Sequence, residues 1–123
     1  MFKITLEEAR AKGAAGAGQS GYEFFAPLDD SGHIALEAWK NERDRCFVHR
    51  LDHGAVVERG LLVHRAGGAG GGTWAFDYQA GTSDEEEQGY RFGSHAFVAG
   101  EYVSIRNADG ELVTYRVAAA QAV

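Results

Sequence analysis

Apolar and polar positions alternate most cleanly near the C-terminus, over residues 100–117 (GEYVSIRNADGELVTYRV). Two alternating runs flank the turn-forming cluster Asn107-Ala108-Asp109-Gly110, the pattern of a β-hairpin. A two-residue turn at Asp109-Gly110 would put Val103 opposite Arg116 and split the apolar residues between the two faces of the ribbon. A three-residue loop over 108–110 instead pairs Val103 with Tyr115 and Ile105 with Val113. Val103, Ile105, Val113, Tyr115 and Val117 then share one face. A one-residue slip would turn every side chain over, so burial of one face selects the second register. Such loops end in a left-handed residue, the place of Gly110. The opposite face carries Tyr102, Ser104, Arg106, Leu112, Thr114 and Arg116.

At the N-terminus, helix-end signals are grouped closely. Thr5 and Glu8 fit a capping box, Glu7 and Glu8 precede Arg10 and Lys12, and Gly13 supplies a stop, so the pattern predicts a helix over 6–12. A Gly-rich linker follows to residue 21. Residues 22–26 (YEFFA) read as a strand ending at Pro27. Over 34–45 (IALEAWKNERDR) the residue types favour a second helix with Leu36, Trp39 and Arg43 on one side and Trp39 as its anchor; weak alternation in the first half leaves a strand open.

From Cys46 onward the expected elements are strands: 46–51, 55–65 with a bulge or corner at Gly60, an aromatic row at Trp74, Phe76 and Tyr78, then 90–92 and 95–98 before the hairpin. The Gly-rich run 67–72 reads as a hairpin loop. Residues 79–89 (QAGTSDEEEQG) read as an acidic, solvated loop, and the tail 118–123 either continues the last strand or frays. About seven short strands with turns between them predict a mainly β domain over 1–123, a small antiparallel barrel or rolled sheet. One or two short helices would lie near its N-terminus, with 1–21 as helix and linker and 22–123 as the β-rich body. Residues 97–105 (FVAGEYVSI) resemble the entry into SH3-like barrels over that stretch only, and the resemblance brings no functional motif.

Composition narrows the classes of function. Seventeen glycines against one proline suit many tight turns, and 12 basic against 18 acidic residues give a net charge of −6, unlike the basic domains that bind nucleic-acid backbones. Cys46 is the only cysteine, so no disulfide forms within the chain. The charged start MFKITLEEARAKG lacks the apolar run of a signal peptide, and no stretch suits a membrane span, so a cytoplasmic protein is expected.

Candidate chemistry is sparse. The glycines at 16, 18 and 21 lie between a predicted helix and a strand, the wrong order for a dinucleotide loop, and no Lys-Ser or Lys-Thr follows 67–72. Cys46, His49 and His53 have ligand character, but on a strand Cys46 and His49 point to opposite faces, His53 lies in the turn, and no fourth ligand completes a structural zinc site, so no metal or other cofactor is expected. His64 and His95 would sit on strands without a nucleophile motif. The expectation is therefore a non-catalytic binding or accessory protein. Tyr102, Arg106 and Arg116 form the partner surface, docking an acidic partner or a second copy, because Tyr and Arg are enriched at binding hot spots. The alternative is a small enzyme or ligand-binding protein with its site in a barrel mouth near His64 or His95.

Overall fold

The computed structural model describes residues 1–9, 20–65, 73–78, 86–107 and 110–123. Eight antiparallel strands follow one another in chain order and close into a barrel: β1 (Phe2–Glu8), β2 (Ser20–Ala26), β3 (Phe47–Asp52), β4 (Ala55–Arg65), β5 (Thr73–Asp77), β6 (Glu86–Tyr90), β7 (Tyr102–Arg106) and β8 (Leu112–Ala122). Every strand pairs with its neighbours in sequence, and β8 returns to β1. Closure leaves no strand edge unpaired.

The C-terminal hairpin has the register that the apolar pattern selects. Val103 faces Tyr115, Ile105 faces Val113, and Arg106 faces Leu112. The Asn107 amide donates to Glu111 at 2.9 Å, and Gly110 has φ +85°. The tail continues β8, which reaches Ala122 alongside β1. At the other end of the chain the expected helix over 6–12 is a strand as far as Glu8. Phe2, Ile4 and Leu6 alternate with Lys3, Thr5 and Glu7, and Ile4 and Leu6 are fully buried between β2 and β8. Burial across two ladders outweighs the end signals of a short helix. The remainder of that helix and most of the expected linker lie outside the described residues.

The second helix is present as α1 (Leu36–Glu42), extended by a 3-10 turn over Arg43–Arg45. Trp39 anchors it: the ring is buried, its indole N–H donates to the Leu62 carbonyl at 3.0 Å, and the Arg43 guanidinium lies 5.1 Å from the ring centre. β4 covers the expected span; its register shift falls at Val57 rather than at the expected Gly60, where a side chain would instead collide with the Asp77 carbonyl. Two expectations over 79–98 are corrected. Residues 86–89 belong to β6 rather than to a loop; of the expected strand at 90–92 only Tyr90 is strand, as the end of β6, and the rest of 91–98 is a 3-10 turn, Phe92–Ser94, and non-strand chain. Arg91, at φ 54°, breaks the strand.

The barrel has two chemically different ends. One is packed with aromatic rings: Phe24 and Phe92 each meet Phe76 and Phe97, and each other, at 5.1–6.2 Å, with Trp39 against Trp74 beside them. The other end gathers the last residues of β1, β3, β5 and β7 with the first of β2, β4, β6 and β8. There the inward positions turn polar.

Candidate functional site

The inward-facing row of β2 runs Phe24 then Tyr22, and that of β3 runs Val48 then Arg50. On β5 and just beyond it, Phe76 is followed by Tyr78, while β6 presents Glu87 opposite Phe76 and β8 presents Tyr115. Period-two alternation thus carries each strand from an apolar interior residue to a polar one at the same level of the barrel.

Glu87 is the centre of this group and the one buried charged side chain among the described residues, 4% exposed. Its Oε1 accepts hydrogen bonds from the Tyr22 hydroxyl at 2.8 Å and the Tyr78 hydroxyl at 2.7 Å. Its Oε2 lies 3.8 Å from an Arg50 Nη1, and the Arg50 Nε is 3.3 Å from Glu58 Oε1. Tyr22 and Tyr115 meet edge to face at 5.1 Å. Burial, reinforced by Tyr78 and Glu87, pushes the Tyr22 phenol far above its ordinary value, and burial with Glu87 does the same to Tyr78. Burial also raises Tyr115, an effect that Tyr22 partly offsets. For Arg50, burial opposes the charge, but Glu58 and Glu87 outweigh it and raise its affinity for the proton. The phenols are therefore fixed O–H donors and Arg50 a fixed cation.

Tyr22, Arg50, Glu87 and Tyr115 border a cavity of about 240 Å³, lined also by Asp52 and Asn107, with Ser20, Gly21 and Leu51 completing it. A larger concavity, about 820 Å³, lies on the outer wall around Phe47 and Leu61, which face each other across β3 and β4. Its surface is mainly apolar although Tyr78 and Asp77 reach it, whereas Tyr22, Arg50, Glu87 and Tyr115 meet at the smaller cavity.

The residues singled out from sequence fall elsewhere. Tyr102 is 54% exposed on the outer wall, Arg106 donates to the Gly110 carbonyl at 2.8 Å, and Arg116 approaches Glu7 at 3.7 Å. Ser104 and Thr114 hydroxyls meet at 3.2 Å between them. Of the four successive acids at 84–87, read as part of a solvated loop, Glu87 points into the barrel and Glu86 is bound by Arg65; Asp84 and Glu85 lie outside the described residues. His64 packs at the aromatic end, 4.6 Å from the Trp74 ring centre, and His95 is half-buried after the 3-10 turn.

Cys46 is buried, donates to the Glu42 carbonyl at 3.4 Å, and has its thiol pushed up to about 11, chiefly by burial. His49 sits beside Glu23 and His53 beside Asp52, so the three do not converge. Among the described residues no cluster of three or more His, Cys, Asp or Glu is arranged to hold a metal ion, and no helix is long and apolar enough to cross a membrane. No protein-family model, curated protein or solved structure matches the chain, and the reading of the site rests on its own residues.

Proposed function

We propose that this chain is a small-ligand-binding protein whose site is the cavity at the polar end of the barrel. The observation that carries the proposal is the position of Glu87, held inside the barrel wall by Tyr22 and Tyr78 and faced by Arg50. A charged pair taken partly out of water gives no more stability than apolar residues of the same volume. Polar groups that converge on a concave space instead serve recognition. At about 240 Å³ the cavity has roughly the liquid volume of eight waters, so its ligand is compact and polar. The polar partners of the Glu87–Arg50 pair are Tyr22, Tyr78 and Glu58, with no Ser, Cys or His beside a base among them, and binding without chemistry is the reading they support. A cytoplasmic setting, which the single buried thiol suits, belongs to the same proposal.

The test is a thermal-shift screen of small polar compounds against the wild-type chain and Ser20→Phe, which fills the margin of the cavity. Compounds that stabilise the wild type by several degrees should leave the folded variant unmoved. Equal shifts in both proteins would place binding elsewhere.

Exposed Tyr102, with Leu112 on the same outer wall, favours a second reading: docking of an acidic partner, or of a second copy, on Tyr102, Arg106 and Arg116. Opposite charges would steer such an encounter, and salt would weaken it. Reversing both charges, Arg106→Glu with Arg116→Glu, should then lower the mass seen by light scattering at low salt. An unchanged mass and unchanged captured partners would leave this face as plain surface.

A further inference from the structure

The class of ligand can be read from how the charges at the cavity are spent. Among the described residues Arg50 is the one cation lining it, while Asp52 and Glu87 line it as carboxylates and Glu58 flanks Arg50 from the neighbouring strand. Arg50 holds its two carboxylates at 3.3 and 3.8 Å, distances of charge neutralisation. Hydrogen bonds between ionised partners run about 2.7–2.9 Å. The planar fork of guanidinium donors is thus balanced in charge without being consumed as donors, and it stands in the wall beside Tyr115 and Asn107. A fork of this kind matches a carboxylate bidentately.

A simple anion would meet Arg50 together with three carboxylates, and repulsion would offset the gain. A simple cation would find the carboxylates but would face Arg50. A molecule carrying both charges a few ångströms apart satisfies both sides of the wall. Resting on the reading of the cavity as a ligand site, we infer that it takes a small zwitterion of the α-amino-acid type. The ligand carboxylate lies on the Arg50 fork and its ammonium group on the Asp52 and Glu87 side, with the Tyr22 and Tyr115 rings beside it. Ring faces near an ammonium group add attraction. Asp52 also has His53 at 2.9 Å, which orients the carboxyl at the rim. Glu87 Oε1 accepts from two phenols, and its Oε2, 3.8 Å from Arg50 Nη1, is the acceptor left to the ligand ammonium.

The experiment is calorimetry on the full chain with three probes of nearly one size: alanine, propionate and ethylamine. Alanine is expected to bind at least tenfold more tightly than either singly charged probe. Arg50→Gln should reduce alanine to the level of ethylamine. Arg50→Lys, which keeps the charge and loses the fork, should also weaken alanine about tenfold and serves if the glutamine variant does not fold. Asp52→Asn should weaken alanine and ethylamine severalfold while leaving propionate unchanged or improved. Ethylamine binding as well as alanine, or propionate doing so, would overturn the zwitterion and leave the ligand site standing. Silence from all three probes, with a hit from the wider screen that Ser20→Phe abolishes, would also overturn the zwitterion alone. Silence from the probes and from the whole screen would overturn the site itself.

Discussion

Glu87→Ala is expected to destabilise the barrel by about 3–5 kcal/mol, the range for removing one partner of a buried charged group. The substitution leaves the hydroxyls of Tyr22 and Tyr78 inside the wall without their acceptor, at about 1–3 kcal/mol each. It also takes one counter-charge from Arg50. That part is small, because Arg50 keeps Glu58 and its side chain is 42% exposed. Against a typical total of about 5–15 kcal/mol, the loss would bring the domain close to unfolding at ordinary temperature. Urea denaturation measures it directly. The compensated variant, Glu87→Leu with Tyr22→Phe and Tyr78→Phe, should recover most of the stability, since donors and acceptor are removed together. A loss under about 1 kcal/mol for Glu87→Ala would mean that the carboxyl is solvated and the polar core does not exist as described.

The second large effect is a loss of stability in alkali. Tyr22 and Tyr78 are both held far above the ordinary phenol value in the fold, by burial first, then by Tyr78 and Glu87 for Tyr22 and by Glu87 for Tyr78. Above about pH 10 the unfolded chain releases these two protons while the native chain keeps them. The unfolded state then binds fewer protons, so unfolding becomes easier as pH rises. The contribution is fully present below pH 10. It is lost above that pH at about 2.7 kcal/mol per unit for the two phenols together. Tyr115, raised in the same direction, steepens the fall. Denaturation midpoints between pH 8 and 12 give the slope, and phenolate absorbance from the buried tyrosines should appear only together with loss of the fold. Tyr78→Phe should remove about 1.4 kcal/mol per pH unit from the slope. A native spectrum that persists while all five tyrosines ionise would refute the burial of Tyr22 and Tyr78.

Both effects arise from residues whose roles the linear pattern shows unequally. The hairpin could be read to the residue, because alternation and the glycine turn are local signals that agree, and Val103 and Tyr115 pair as the apolar faces require. Trp39 as the helix anchor was legible for the same reason: one large ring on one side of an otherwise polar segment. β1 was misread because its residues carry two valid patterns, a capping box and a period-two alternation, and only the ladders with β2 and β8 decide between them. Glu87 was hidden more deeply. It is one of four successive acids, a run that composition assigns to solvent. Its inward direction follows from the pairing of β6 with β5, where Phe76 faces Glu87 and Trp74 faces Gly89. Gly89 leaves room there for the Phe92 ring, which a side chain would strike. The local trace of this is the alternation of Glu87 and Gly89 with Gln88, too short to stand out. Arg50, Tyr22, Tyr78 and Tyr115 come from four different elements, and closure of the barrel is what brings them to one level.

The central claim is that this level of the barrel is a ligand site. It is tested most directly by titrating the strongest stabiliser from the compound screen into the wild-type chain and into folded Ser20→Phe by calorimetry. One-to-one binding to the wild type, reduced at least tenfold in the variant and weakened by Arg50→Lys, is the result the account predicts. Binding of equal strength to all three proteins would contradict it.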